Sequence, residues 1–236
     1  MKIYLFKELI SLFINKTWES GIAEEVDYWD RYLRTGGGNY PEDFQMRTNP
    51  NAPLQDHIID VLDFPTQAEL HILDVGAGPL TYIGKQWLDK KVTITAIDPL
   101  AANYDELLQK YGITPLVRTQ LGDAEKLTTY FPENTFDLGH ARNAIDHCYD
   151  PNLAIQQMVA AVKPRGVVYL HHAVNEAKTR RYRGFHQWNL SASQGELYIG
   201  NAKQTINISK SLAAVAEVKN QLWADDTWLV TQIHKR

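Results

Sequence analysis

Apolar residues recur along this chain with two different periods, and the switch between them marks its organisation. Over residues 1–35 the spacing is helical. Leu5, Leu9, Leu12 and Phe13 form one stripe, and Tyr28-Trp29 with Tyr32-Leu33 repeat it. Thr35-Gly-Gly-Gly-Asn-Tyr-Pro41 breaks the pattern and predicts a mobile loop. Leu54 to Leu62 predicts another short helix, ending near Phe64-Pro65. Beyond that point short apolar runs alternate with helical stretches. Strands are expected at about 70–75, 92–97, 115–119, 136–140 and 166–172, with helices over Ala102–Tyr111 and Leu153–Val162. Alternation of this kind predicts a doubly wound, mostly parallel, Rossmann-like α/β sheet with helices on both faces. Glu217–Leu222 and Trp228–His234, separated by Ala-Asp-Asp, read as a C-terminal antiparallel hairpin. Residues 1–65 are then an N-terminal helical cap and 66–236 the main domain.

Composition narrows the class. At 236 residues the chain fits one sizeable α/β domain plus a helical extension. A net charge of −4 gives no electrostatic footprint for nucleic acid, and the basic run Lys178-Thr-Arg-Arg-Tyr-Arg183 is short enough to be a solvated loop or a substrate-facing edge. Cys148 is the single cysteine, which rules out an intrachain disulfide and suits a reducing, cytoplasmic setting. The opening Met1–Ile14 carries Lys7 and Glu8 and is too short to span a bilayer. It reads as an amphipathic helix that covers the core or a second copy of the chain in a homodimer.

The candidate chemistry begins where the first strand meets its turn. His71-Ile-Leu-Asp-Val-Gly-Ala-Gly-Pro-Leu carries Asp74 into Gly76-Ala77-Gly78, and a second strand, Val92 to Asp98, ends in an acid twenty residues after Gly78. Glycines at such a turn let backbone approach a ligand closely, and an acid ending the next strand can hold a ribose diol. Dinucleotide enzymes share that layout. Here, however, a carboxylate at Asp74 would repel a pyrophosphate, and Thr81 stands where their third glycine falls.

With these residues the chain resembles the class I S-adenosylmethionine-dependent methyltransferases, of the type 11 kind. The resemblance covers roughly residues 70–172 and includes Phe136-Asp-Leu and the turn Val162-Lys-Pro-Arg-Gly166. It implies S-adenosylmethionine as cofactor. Asp74 and Gly76 would line its methionine portion, with Gly78 in close backbone approach and Asp98 on the ribose hydroxyls. Gly122-Asp123-Ala124 would meet the adenine. Ala77, Pro99 and Arg142 complete the implied lining. Tyr28-Trp29-Asp30 and Arg47 resemble the helical cap of ubiquinone-pathway O-methyltransferases, in which a cap arginine pairs the cofactor carboxylate.

His140-Ala-Arg-Asn-Ala-Ile-Asp-His147 leads to an Asp-Pro pair at Asp150-Pro151, a position where many small-molecule methyltransferases carry a histidine. An imidazole with an ordinary pKa near ~6.5 can take the proton of an attacking hydroxyl. The resemblance to metal-dependent small-RNA and ubiquinone-pathway O-methyltransferases adds a second option. Asn143, Asp146 and His147, joined by His186 of Gly184-Phe-His186-Gln-Trp188, would hold Mg²⁺, Mn²⁺ or Zn²⁺. On a helical turn Asn143, Asp146 and His147 would share a face, although Asn143 stands where those enzymes have an acid. The catalytic candidates are therefore His147, Asp146 and His186. His171 and His172 end a strand beside the cleft and are either substrate contacts or framework, and His140 packs near the cofactor. His57, His71 and His234 are structural or exposed, and Cys148 lacks a cysteine-protease setting.

The expected activity is O-methylation of a small hydroxylated molecule, such as a sugar or secondary metabolite. N-methylation of a small amine is the nearest variant. A nicotinamide-dependent oxidoreductase and a non-catalytic methyltransferase-fold binding module are the other readings left open. No nucleic-acid partner or membrane span is expected.

Overall fold

The computed structural model describes residues 20–62 and 68–236, so the apolar stretch at the start of the chain and the predicted helix end at Phe64-Pro65 lie outside the described residues. A helix over residues 20–34 (α1) precedes α2 (Pro41–Thr48), α3 (Asp56–Ile59) and the first strand, β1 (Glu69–Val75). Then follow β2 (Lys91–Asp98), α4 (Ala101–Lys110), β3 (Gln120–Leu121), α5 (Leu127–Tyr130), β4 (Phe136–Arg142), α6 (Pro151–Ala161) and β5 (Val162–Ala173). The chain ends with α7 (Glu176–Thr179), β6 (Asn189–Ser193), β7 (Glu196–Gly200), β8 (Thr205–Asn207), α8 (Ile208–Leu212), β9 (Ala216–Trp223) and β10 (Trp228–Lys235).

Seven strands form one sheet in the order β3-β2-β1-β4-β5-β10-β9. The first five are parallel, and β10 runs antiparallel between β5 and β9. The order reverses between β1 and β4, which places a crevice at their carboxyl ends, where sheets of this kind bind ligands. This is the expected doubly wound, mostly parallel, Rossmann-like sheet with its C-terminal antiparallel hairpin.

Alternation along the strands divides the core. Leu73, Val168 and Leu170 face α5, α6 and the small β6–β8 sheet, whereas Ile72, Leu138, Val167 and Tyr169 face Leu54 and Ile58. The cap forms a third cluster in which Trp29, Tyr32 and Leu33 of α1 meet Tyr104, Leu107 and Leu108 of α4. Among the described residues no helix is long and apolar enough to cross a membrane.

One feature departs from the sequence expectation and two more go beyond it. The third strand is not 115–119 but the two residues of β3, because Thr119 turns inward and donates its hydroxyl to the carbonyl of Gly78 (2.6 Å). No helix follows the glycine turn. Pro79 lacks an N–H, and the next backbone groups are satisfied across the chain rather than along a helix. Lys85 and Gln86 donate to Ala52 (2.8 and 3.0 Å), Gly84 donates to Gln55 Oε1 (3.1 Å), and Tyr82 accepts from Gln55 Nε2 (2.7 Å). Gly84 is held so tightly that a Cβ would lie 1.9 Å from the carbonyl oxygen of Pro53. Finally, β6–β8 form a separate three-stranded antiparallel sheet inserted between β5 and the C-terminal hairpin.

Candidate active site

At the carboxyl ends of β1, β2 and β4 lies a cleft of about 1270 Å³. That exceeds the roughly 300–1,000 Å³ of an ordinary ligand pocket and suits two ligands side by side.

Its cofactor end is built largely from backbone. Gly76 and Gly78 adopt left-handed φ of 68° and 64°. Side chains there are blocked twice over, since a Cβ on Gly76 would fall 2.3 Å from that of Ala144, and one on Gly78 would fall 2.5 Å from the Trp29 ring. The N–H groups of Gly76 and Ala77 donate to Ile97 (2.9 and 3.1 Å), which ties the turn to the end of β2. Asp98 accepts from Gly78 N–H (3.2 Å) and Leu100 N–H (2.9 Å). Burial pushes its carboxyl up to about 7 despite those two donors. Pro99, Asp123 and Ala124 line the same cleft, with Asp123 bonded to Lys126 (2.7 Å).

Asp74 differs from its expected role. It stands beside His140 in the β1–β4 register, and its carboxylate is taken by His140 Nδ1 (2.7 Å) and the Thr81 hydroxyl (2.5 Å). It therefore braces the turn from behind. With Ala77 it borders a small adjoining cavity of about 40 Å³ rather than the main cleft. Arg47 and Arg142 flank both cavities. Asp43 bridges them, accepting from Arg47 Nε (2.6 Å) and Arg142 (3.3 Å), and Arg47 also donates to the carbonyl of Leu80. The Arg142 guanidinium lies 4.2 Å from the Tyr82 ring centroid, and its buried Nε has no partner among the described residues.

A second part of the cleft is made of side chains. A single 3₁₀ turn, Ile145–His147, follows β4. His186, from the loop after α7, brings Nδ1 to 2.8 Å from Asp146 Oδ2 and 3.2 Å from His147 Nε2. His147 Nε2 is 3.6 Å from the same carboxylate oxygen. Asp146 is buried, and its other oxygen has no hydrogen-bond partner among the described residues. Burial would raise the Asp146 carboxyl, but His147 beside it and the His186 bond hold it below the usual carboxylate range. Burial would likewise lower His186, and the Asp146 bond and charge outweigh it, so its pKa is raised. The ligand atoms of Asp146, His147 and His186 lie within 4.8 Å of one another, as a metal triad requires.

Asn143 does not join them on a helical face. It has a left-handed φ of 48°, and its Oδ1 accepts from Ala173 N–H (2.8 Å), pinning β4 to β5. His172 proves to be framework. Burial keeps it neutral, with its pKa down to about 4, and its Nε2 accepts the N–H groups of Ala144 (3.3 Å) and Ile145 (3.1 Å), holding the turn that carries Asp146. His171, lowered to about 3 by burial, packs on Trp228 with ring centroids 4.7 Å apart and does not line the cleft. Cys148 does line it, but burial pushes its thiol well above the ordinary value, so it stays protonated. Sequence reasoning missed Asp43, Trp29's cover of Gly78 and the Asp74–His140 pair. Of these, only the four-residue Asp43–Arg47 spacing on α2 is visible in the sequence.

A switch-point crevice, a glycine turn tied to a strand-end acid and a C-terminal antiparallel hairpin define the class I methyltransferase architecture. Residues 73–170, less than half of the chain, match the family model for the methyltransferase domain, and over this segment the chain is similar to the class I S-adenosylmethionine-dependent methyltransferases. No curated protein matches its sequence. Similar solved structures include the CurJ carbon methyltransferase, at 14% identity and a TM-score of 0.48, covering 73% of this chain and 50% of that one. The PH0226 protein from Pyrococcus horikoshii OT3 is 14% identical with a TM-score of 0.43, covering 84% and 99% of the respective chains. A SAM dependent methyltransferase from Aquifex aeolicus is 14% identical with a TM-score of 0.47, covering 81% and 92%.

Proposed function

We propose that this methyltransferase transfers a methyl group to a hydroxyl of a small molecule, with His147 as the proton acceptor. The Asp146–His147–His186 constellation, whose two histidines line the cleft, carries this reading. S-adenosylmethionine, when bound, supplies a methyl group on a sulfonium. The glycine turn suits it, because Gly76 and Gly78 line the cleft with bare backbone at positions where Ala144 and Trp29 leave no room for a side chain. Asp98 would hold the ribose hydroxyls, Asp123 and Ala124 the adenine, and Arg47 with Arg142 the carboxylate. Helices α1 and α2, part of the cap, roof this end and keep water out.

The acceptor hydroxyl approaches His147, and its proton passes to Nε2 as the oxygen attacks. Asp146 Oδ2, 3.6 Å away, stabilises the imidazolium that forms. His186, bonded to the same oxygen, keeps the carboxylate oriented. The mutual approach of the three ligand atoms also favours a second role. The same atoms would bind a divalent ion such as Mn²⁺ or Zn²⁺, which would lower the hydroxyl pKa and orient the acceptor.

Transfer of labelled methyl from S-adenosylmethionine to a panel of hydroxylated metabolites and amines tests the reading, with chelated protein assayed before and after Mn²⁺, Mg²⁺ or Zn²⁺ is restored. Labelled ether products support the O-methyl reading. Labelled amines alone would contradict it. Activity and melting temperature that ignore chelation would remove the metal and leave His147 as base.

A further inference from the structure

We infer that the acceptor carries an anionic oxyacid group, bound by Arg181 and Arg183 at the rim of the cleft; this rests on the methyl-transfer reading above. The loop after β5 supplies both His186 and these arginines, and all three side chains line the cleft. Charge pairing leaves the arginines over. On the wall they share with α1, Glu25 accepts from Trp29 Nε1 (2.8 Å), Asp27 from Arg31, and Glu176 from Arg180 (2.7 Å). Across the cleft, Asp98, Glu125 and Asp150 accept backbone N–H groups. The guanidinium groups of Arg181 and Arg183 have no partner among the described residues, and Glu24 is the one carboxylate near them in the same state. In a chain of net charge −4, this edge of the cleft presents two unmatched cations against one anion.

The backbone beneath them is held in place by hydrogen bonds. Arg181 and Tyr182 both adopt left-handed φ, 57° and 55°, a conformation that glycine would take at no steric cost. They are fixed there by Arg181 N–H to Lys178 (3.2 Å) and Tyr182 N–H to Ala177 (2.7 Å). Gln187 Nε2 clamps the far side of the turn, donating to the carbonyls of Tyr182 (3.0 Å) and Gly184 (2.9 Å). The Arg181 and Tyr182 bonds form the Schellman turn that ends α7, in which a left-handed residue is usual, so both arginines leave the helix on one short, hydrogen-bonded turn. Gln187 N–H also donates to the Asp146 carbonyl (3.2 Å), so the arginine turn and the catalytic turn are tied together. A forked guanidinium matches phosphate or carboxylate oxygens, and two on one short turn would grip such a group while His147 faces a hydroxyl of the same molecule.

The test titrates inorganic pyrophosphate, and separately citrate, into protein saturated with S-adenosylhomocysteine so that Arg47 and Arg142 are occupied. Tryptophan fluorescence is the readout. Saturable binding is expected in the wild type. It should weaken about tenfold or more in the Arg181→Gln/Arg183→Gln double variant and return largely in the double Lys variant. A Gln variant that melts normally yet binds both anions like the wild type would overturn the inference. So would a single-stranded oligonucleotide binding far more tightly than either anion. Calorimetry of S-adenosylhomocysteine on both proteins separates the two readings. Loss of that binding in the wild type removes the methyltransferase basis, whereas intact binding with unaltered anion affinity removes only the anionic acceptor.

Discussion

Two parts of the cleft are assembled in opposite ways. At the cofactor end, backbone does the work: two glycines in left-handed conformation, N–H groups turned to Ile97 and Asp98, and a strand-end acid. At the acceptor end, three side chains meet from a 3₁₀ turn and a loop 40 residues further on, each held by another group. A backbone-built site accommodates a cofactor common to many enzymes. A side-chain-built site sets which molecule receives the methyl group and how its proton leaves. Damage to the two parts should therefore separate cleanly between binding of the cofactor and turnover.

The largest effect is expected at the acceptor end. His147→Ala should lower kcat by about 10²–10⁴, the usual contribution of a positioned general base, without changing affinity for S-adenosylhomocysteine. A variant that loses cofactor affinity in parallel would erase the distinction between the two parts.

Asp98→Asn should do the reverse, weakening S-adenosylhomocysteine binding by about tenfold or more through loss of a charged acceptor. The pH dependence sharpens this. Asp98 titrates near 7 in the folded protein against an ordinary 3.8, so it is protonated in the free protein below about 7. Ribose hydroxyls donate to the ionised form, and affinity should thus fall as the pH drops below 7, by up to about tenfold per unit. Fold stability runs the other way. The unfolded chain releases this proton first, so the Asp98 contribution costs stability as pH rises from about 4 to 7. Asp98→Asn should flatten both dependences in calorimetric and thermal-melt series.

A smaller effect is expected at Thr81→Val. It removes the hydroxyl that donates to Asp74 and accepts the buried Ile83 N–H (3.1 Å), while His140 keeps its own bond, at a cost of about 1–2 kcal/mol and a melting temperature a few degrees lower. A melting temperature equal to that of the wild type would mean that His140 alone suffices to hold Asp74 and that the Thr81 hydroxyl contributes nothing to the turn.

The same contrast explains what the sequence discloses. Gly76, Gly78 and Asp98 are legible because their roles depend on short spacings and on what glycine alone permits. The Asp74–His140 pair joins residues 66 apart, and no local pattern marks it. His186 came into view through family resemblance, since its partner Asp146 lies 40 residues away. Asn143 fails the helical-face expectation because the segment after β4 is a left-handed residue and a single 3₁₀ turn. Some signals were present and unused. Pro79 warned against a helix after the glycine turn, and Gln194-Gly195, both at positive φ (52° and 80°), join β6 to β7 as a tight hairpin turn.

The most direct test is calorimetric titration of S-adenosylhomocysteine into the wild type and into His147→Ala, with NAD as comparison. Equal, micromolar binding to both proteins and none for NAD is the predicted result. Absence of homocysteine-product binding to the wild type, or tight binding of NAD, would contradict it.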